Sequence, residues 1–237
     1  MLEDNFQAFH NDVLIREELL ERIVNEVKRN LTEGCGNLSR NKGGDFLSIP
    51  LGISNRHIHL TLSTLKKLFG ENAVFESMRP LYQPGEFASQ HVLTIVGPKL
   101  RSIQGVRILG PLRKYDQVEV SLTDAIFLGI SPPVANSGSL INAVPLTLVG
   151  PAGSVYLPKC AIVANRHIHM TNKDAQIFGV KEGDFCRVRI AGDKSTIFEN
   201  VLIRINDSWL LQIHIDTDDA NAANIRSETF VEFLGKM

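Results

Sequence analysis

Hydrophobic positions in the first part of the chain follow the repeat of an amphipathic helix. In residues 12–31, DVLIREELLERIVNEVKRNL, charged residues face away from one apolar stripe. That stripe consists of Leu20, Ile23, Val24, Val27 and Leu31. The segment is followed by TEGCGNLSRNKGGD, whose Gly, Asn and Ser content predicts a flexible connector. We therefore expect residues 1–45 to form a helix and a linker, before a first strand near Phe46.

From that point to the C-terminus the pattern changes to short runs rich in β-branched residues, separated by Gly and Pro turns. Examples are HVLTIVG, GVRILG, QVEVSL, CRVRI and NVLIRI. Stretches with helical periodicity stay under about ten residues. The pattern predicts a mainly β fold of barrel type with short helices.

One sequence unit occurs twice. NRHIHLTLSTLKKLFG at 55–70 matches NRHIHMTNKDAQIFG at 165–179, an offset of 165 − 55 = 110 residues. Thr61 and Thr171 stand where a helix N-cap is expected, and a Phe-Gly ending stands where glycine would stop a short helix. Each copy therefore predicts a strand, a cap and a short helix.

A second pair of segments repeats in the same order. QVEVSLTDA at 117–125 aligns with QIHIDTDDA at 212–220, and each predicts a strand that runs into a Thr-initiated turn. Each half of the chain thus carries two such units. We expect two related β-barrel domains capped by short α-helices, one in residues 46–154 and the other in residues 155–237.

The repeat brings metal-ligand side chains together in each half. Residues two apart on a strand point to the same face, about 7 Å apart, so the two histidines of a His-x-His pair can bind one metal ion. Catalytic zinc sites usually have three protein ligands, and the alignment places Glu119 opposite His214 as the third. The sequence therefore predicts two related sites: His57, His59 and Glu119 in the first half, and His167, His169 and His214 in the second.

The alternative for any single His-x-His pair is a structural role, which is the commoner case. Two copies with the same flanking Asn and Arg, each with a matching third residue, argue against coincidence and leave an inert structural repeat as the alternative. The flanking Arg56 and Arg166 alternate with the histidines and so point to the opposite face. We expect both arginines in buried ion pairs.

Charge and cysteine content exclude several classes of protein. The formal charge is −1 with acids and bases interspersed, which disfavours binding to nucleic acid or to an acidic membrane surface. No apolar run approaches the roughly 20 residues that span a bilayer, and the N-terminus lacks the pattern of a signal peptide. The three cysteines, Cys35, Cys160 and Cys186, include no CxxC pair, which disfavours disulfides and a thiolate zinc site. We expect a soluble protein in a reducing cytoplasm.

Several blocks occur in a specific order between about Ile49 and Asn224: IPLGISNRHIHLT, QPGEFAS, LTIVGPK, VRILGPLRKYDQVEVSLTDA, LVGPAG, VANRHIHMT and HIDTDDANAA. Together they resemble the propanediol-utilisation type of phosphotransacylase, also called phosphate propanoyltransferase. The resemblance implies a two-barrel acyltransferase that binds two zinc ions through the same residues that the repeat predicts. It also implies acyl-coenzyme A and phosphate as substrates, an acetyl or propanoyl group as the acyl chain, and a homo-oligomer.

The resemblance further implies a phosphate-binding arginine in the segment LGPLR, which is Arg113 here. At the offset 214 − 119 = 95 its counterpart is Ser208, so this charge belongs to one half only, as suits a site with one phosphate. A guanidinium beside two dications matches an oxyanion, and the alternative is an ordinary surface arginine. The implied mechanism is direct attack of zinc-bound phosphate on the thioester, without an acyl-enzyme.

Other interpretations remain open at this point. A dinuclear zinc hydrolase of thioesters could use the same ligands without needing phosphate, and a non-catalytic zinc-stabilised scaffold protein would show no turnover. In relatives that work inside bacterial microcompartments an amphipathic N-terminal helix binds the shell, and residues 12–31 have that pattern. The alternative is a helix that packs on its own barrel or on a second copy of the chain.

Overall fold

The structure is a computed structural model that describes residues 47–225 and 229–237. The amphipathic helix predicted at 12–31 and its connector lie outside these residues. Among the helices that the structure describes, none is both long and apolar enough to cross a membrane.

Short strands and short helices alternate through the described residues, as the hydrophobic pattern predicts. The strands are β1 (Ser48–Ser54), β2 (His57–His59), β3 (Ser77–Pro80), β4 (Phe87–Val96), β5 (Ser102–Gly110), β6 (Gln117–Glu119), β7 (Val134–Ala135), β8 (Val144–Val149), β9 (Ser154–Ala164), β10 (His167–Met170), β11 (Phe185–Ile190), β12 (Thr196–Ile205), β13 (Gln212–Asp216) and β14 (Phe230–Lys236). The helices are α1 (Leu62–Phe69), α2 (Leu122–Leu128), α3 (Asn172–Phe178) and α4 (Thr217–Ala222).

The strands close into two six-stranded barrels. In the first barrel the order is β4, β5, β2, β6, β9 and β8, and β8 pairs again with β4. In the second barrel the order is β1, β13, β10, β12, β11 and β14, and β14 pairs again with β1. Closure leaves few unpaired strand edges. The predicted fold, mainly β with two barrels and short helices, is confirmed.

The boundary between the barrels differs from the predicted division into 46–154 and 155–237. Strand β1 pairs with β13 and β14 of the second barrel, whereas β9 pairs with β6 and β8 of the first. The 110-residue offset makes β1 and β9 equivalent, since Ser54 then corresponds to Ala164. Each barrel therefore takes this strand from the other repeat. The predicted division is wrong for these two strands because neighbours in sequence need not pair in a closed barrel.

An isoleucine between the two histidines of each pair fixes the direction in which the histidines point. Ile58 and Ile168 are fully buried in the cores of the first and second barrel, respectively. Burying such a side chain contributes about 1.5–3 kcal/mol. Since neighbouring residues on a strand face opposite sides, this burial directs both histidines of each pair away from the core.

Side-chain caps begin the helices that follow the repeated strands. Thr61 and Thr171 are the N-caps of α1 and α3, as predicted, and each accepts a hydrogen bond from the backbone N–H three residues on. The Thr-initiated turns predicted after the second repeated strands are wrong, because the N-caps of α2 and α4 are Ser121 and Asp216. Ser121 lies two residues after the end of β6 and Asp216 is the last residue of β13, and their side-chain oxygens accept from the backbone N–H groups of Asp124 and Asp219.

Candidate metal-binding site

The first predicted ligand set lies on β2 and β6. In the antiparallel pairing of these strands His57 stands opposite Glu119, and His59 stands opposite Gln117. One ligand atom from each of His57, His59 and Glu119 lies within 4.8 Å of the others. His57 Nε2 is 3.5 Å from a carboxylate oxygen of Glu119. Two imidazoles and a carboxylate at these distances suit one metal ion.

The second set lies on β10 and β13 in the same register. His167 stands opposite His214, and His169 stands opposite Gln212. The centroids of the three imidazole rings are 4.7, 5.0 and 4.8 Å apart. The structure therefore brings together both triads that the sequence repeat predicts.

The backbone orients one histidine in each triad. His57 Nδ1 lies 2.8 Å from the carbonyl oxygen of Asn55, and His167 Nδ1 lies 2.8 Å from that of Asn165. A carbonyl oxygen only accepts, so Nδ1 carries the proton in both rings and donates it. Nε2 then keeps the lone pair that a metal ligand needs. The repeated asparagine thus supplies a backbone acceptor rather than a side-chain contact to the ring.

Several other imidazole nitrogens are buried with no hydrogen-bond partner among the described residues: His59 Nδ1, His169 Nδ1 and Nε2, and His214 Nε2. Leaving a polar atom in this condition costs about 1–3 kcal/mol. A metal ion bound to these nitrogens would remove much of that cost. The first triad therefore fits a metal ion by its donor atoms and by its spacing. The second triad offers donor nitrogens of the same kind.

Burial favours the neutral form of His59, His169 and His214, which is the form that binds a metal ion. Desolvation, with the charge of a neighbouring histidine, lowers the pKa of His59 and of His169 to about 3. It also lowers the pKa of His214 well below its ordinary value. Burial alone would raise the pKa of Glu119, but the charges of His57 and His59 lower it overall. The neutral form is thus favoured for His59, His169 and His214, and the ionised form for Glu119.

Gln117 holds the Glu119 carboxylate in place. Its Nε2 donates to Glu119 Oε1 at 2.7 Å and to Ser137 Oγ at 2.9 Å. The backbone N–H of Gly138 donates to Gln117 Oε1 at 2.7 Å. Neither Gln117 nor Ser137 was predicted to belong to the site, although Gln117 is itself repeated as Gln212. Partners of this kind orient metal ligands.

Both triads line a single cavity of about 410 Å³. Arg113 also lines it, and its Nη2 donates to Glu86 Oε1 at 2.8 Å. The Arg113 Nε is buried and has no hydrogen-bond partner among the described residues. The predicted phosphate-binding arginine is therefore near the ligands, with one N–H free to bind an anion.

Two further cavity residues, Arg204 and Trp209, were not predicted from the sequence. Arg204 stands opposite His169 in the parallel pairing of β10 and β12. Its guanidinium carbon is 5.2 Å from the ring centroid of Trp209, and the Trp209 ring stacks on His169 at 4.2 Å. The repeat offers a signal for Arg204, because it is a charge that the other half lacks.

The arginines that flank the histidine pairs form ion pairs, as predicted. Arg56 contacts Asp124 at 2.7 Å, and Arg166 contacts Asp219 at 2.8 Å. The arginine side chains are 43% and 35% exposed, so the pairs are only partly buried. Arg56 also reaches the edge of the cavity, despite pointing away from the ligands at its own strand.

These features define a two-barrel protein in which two repeated triads of metal-ligand residue types line one cavity. The family model for phosphate propanoyltransferase matches residues 50–226. The chain is 45% identical over 195 residues to a phosphate propanoyltransferase of Lachnoclostridium phytofermentans, covering 82% of this chain and 91% of the relative. For those of Salmonella typhimurium and Rhodopseudomonas palustris the identities are 48% and 38%, covering 74% and 94% of this chain and 83% and 99% of the relatives. The chain belongs to the phosphate propanoyltransferase family.

Proposed function

We propose that this protein is a phosphate acyltransferase that moves a short acyl group, propanoyl or acetyl, reversibly between coenzyme A and inorganic phosphate. The observation that carries the proposal is the placement of both triads and Arg113 on one cavity, in a chain of this family. A cavity with one carboxylate-containing triad and one neutral triad suits two substrates of different charge and softness.

Zinc is the metal that we propose for both triads, one ion in each. His57, His59 and Glu119 would hold one ion, and His167, His169 and His214 would hold the other. When bound, the ions would supply Lewis-acid polarisation of the thioester and offset the charge on phosphate and thiolate. Three protein ligands for each ion leave room for substrate atoms.

Arg113 binds and orients phosphate in this proposal. Its Nη2 donates to Glu86, while its Nε N–H has no partner among the described residues. A phosphate oxygen can accept from Nε, and a second oxygen can compete with the Glu86 carboxylate for Nη2. Such two-point, charge-assisted contact is the usual way in which arginine holds phosphate.

Transfer is direct in this proposal. A phosphate oxygen forms a bond to the acyl carbon, the carbon–sulfur bond breaks, and coenzyme A leaves as its thiolate. Cys160 and Cys186 are unsuited to an acyl-enzyme route, since both are fully buried and burial raises the pKa of each thiol to about 12. Glu119, held by Gln117, keeps its triad less positive than the other, which leaves the more positive triad for phosphate, the more highly charged of the two anions.

The test follows free thiol released from propanoyl-coenzyme A by the zinc-loaded protein, with and without phosphate. We expect release that requires phosphate, is lost in His167→Ala, and shows a raised KM for phosphate in Arg113→Gln. Release without phosphate would identify a thioester hydrolase instead. No release from protein that retains its zinc would favour the scaffold interpretation.

Residues 12–31 form a separate part of the proposal. We propose that this segment binds a microcompartment shell protein, on the support of its amphipathic sequence. The match to the relative from Rhodopseudomonas palustris covers 94% of this chain, so sequence similarity extends well beyond the 50–226 core. Deletion of residues 1–45 should leave the transferase rate intact and abolish co-purification with shell proteins. A changed oligomeric state after deletion would instead favour packing against a second copy.

A further inference from the structure

Arg204 is a charged residue with no charged counterpart in the other half of the internal repeat. At the offset of 214 − 119 = 95 residues its counterpart is Leu109, which lines the same cavity. The strand pairing supports this alignment, because His57 stands opposite Arg107 and His167 stands opposite Leu202, again 95 residues apart. One half thus carries an arginine where the other carries leucine. A change of this kind at a cavity position points to a role specific to the three-histidine triad.

Arg204 lies on the ligand face of the second barrel. Cross-strand partners in a sheet point to the same side, so Arg204 shares the face of His169. Trp209 links the two side chains. Its ring stacks on His169 at 4.2 Å with an interplanar angle of 20°, and the Arg204 guanidinium lies 5.2 Å from its centroid. A cation over an indole ring is attracted to it, which restricts where the guanidinium can lie.

The charge of Arg204 is not matched by a carboxylate. Among the described residues no hydrogen bond or ion pair involves its guanidinium, whereas Arg56, Arg113 and Arg166 each contact an acid. The neighbouring triad consists of three histidines and contains no carboxylate, so a divalent ion bound there would add two positive charges that no acidic ligand offsets. The Arg204 guanidinium and a divalent ion that share one partly buried cavity would repel each other. An anion bound between them would offset that repulsion.

We propose that Arg204 binds inorganic phosphate at the three-histidine triad and that Trp209 positions its guanidinium. The choice of phosphate as the oxyanion rests on the function proposed above. Arg113 and Arg204 then approach the phosphate from different halves of the protein. Arg113 shares its guanidinium with Glu86, whereas Arg204 has no competing acid among the described residues.

The experiment uses the full chain loaded with zinc and titrates it with inorganic phosphate. Trp209 is the one tryptophan of the sequence, so its fluorescence reports binding beside it, and calorimetry measures the Kd independently. Arg204→Gln should raise the Kd and the KM for phosphate about 10- to 100-fold, the range for loss of a charge-assisted hydrogen bond. The KM for propanoyl-coenzyme A should stay unchanged. The Kd and KM of Arg204→Lys for phosphate should lie between those of the wild type and of Arg204→Gln, because lysine keeps the charge and lacks the planar guanidinium.

Arg187→Gln is the matched control, an exposed arginine on β11 of the same barrel that lies away from the cavity. It should leave both constants unchanged. Wild-type affinity for phosphate in Arg204→Gln with its zinc retained would overturn the inference, as would equal increases in KM for both substrates. Should Arg204→Gln not fold, Arg204→Lys carries the same test. Arginine-dependent phosphate binding without acyl transfer would refute the proposed function and leave this inference standing.

Discussion

The two repeated triads share a backbone geometry and differ in charge. In both, a histidine stands opposite the third ligand, and its Nδ1 donates to the carbonyl oxygen of the asparagine two residues before it. The third ligand is Glu119 in the first triad and His214 in the second. The two cavity arginines that have no counterpart in the other repeat also differ. Arg113 is paired with Glu86, whereas Arg204 has no acid partner among the described residues. The two triads thus share their backbone geometry and differ in the charge of the third residue.

Loss of a ligand should have the largest effect on this pair of triads. His59→Ala and His169→Ala should each remove about one zinc equivalent and lower phosphate-dependent thiol release by more than about 100-fold, since loss of a residue that only orients a metal ligand already costs about 10- to 100-fold. Metal analysis and the thiol assay measure both effects. Gln104→Ala, at an exposed position of β5, is the control and should change neither. A variant that loses zinc but keeps its rate would show that its triad is structural.

Acid should destabilise the zinc-free protein, mainly through its buried histidines. The pKa of His169 is about 3 in the folded chain and 6.5 ordinarily, so between these values the unfolded chain binds more protons. Stability therefore falls as pH falls from 6.5 toward 3, by at most about 1.4 kcal/mol per pH unit for each such histidine. Urea unfolding at a series of pH values measures the slope.

The acid response should also separate the two triads. His214→Gln removes a histidine whose pKa is lowered, so its slope should be shallower than that of the parent chain. Glu119→Gln should leave the slope near pH 6 much less affected, because the pKa of Glu119 is lowered from an ordinary 4.5 and its stabilisation is lost only at lower pH. Identical slopes in the parent and His214→Gln would contradict the burial of a neutral His214.

Gln117 should matter to the first triad in a way that its counterpart does not. Gln117→Leu removes the 2.7 Å hydrogen bond to Glu119 and should weaken zinc binding there by about 10- to 100-fold. Gln212→Leu is the matched variant, since Gln212 instead lies 3.4 Å from Gln83 and has no carboxylate to orient at its own triad. Competition with a chelator measures both affinities. Equal losses would mean that the two glutamines act only on barrel packing.

The ligand triads were predictable because their register is carried by short local patterns. The apolar residue between two histidines, such as Ile58, determines the buried face, and a repeated segment then indicates the third ligand. The exchange of β1 and β9 was not predictable in this way, because barrel closure decides which repeat receives each strand. Gln117 and Arg204 were missed for a related reason. Arg204 stands opposite His169 on a different strand. Gln117 lies two residues before Glu119 on the same strand, but it is held by Ser137 and Gly138, about 20 residues farther along the chain. Sequence spacing does not specify these longer-range contacts.

The smallest expected difference concerns the helix caps beside the two triads. The backbone N–H of Thr171 donates to Asp174 within its own helix at 2.9 Å, while that of Thr61 donates to Asp116 from a distant segment at 2.7 Å. Thr61→Ala and Thr171→Ala should each lower the free energy of unfolding by about 1 kcal/mol, the usual cost of an N-cap. Urea unfolding at neutral pH measures this cost.

Neither cap variant should alter zinc content, since the histidines are held by strand pairing and by the burial of Ile58 and Ile168 rather than by the caps. Asp116→Asn tests the remaining difference between the copies. Asp116 also accepts from Thr64 Oγ1 at 2.7 Å. It thereby links α1 to the residue that precedes β6, the strand that carries Glu119. If Asp116→Asn lowers zinc content while Asp174→Asn does not, the long-range cap stabilises the ligand strand, and the first triad is the one that depends on contacts outside its repeat.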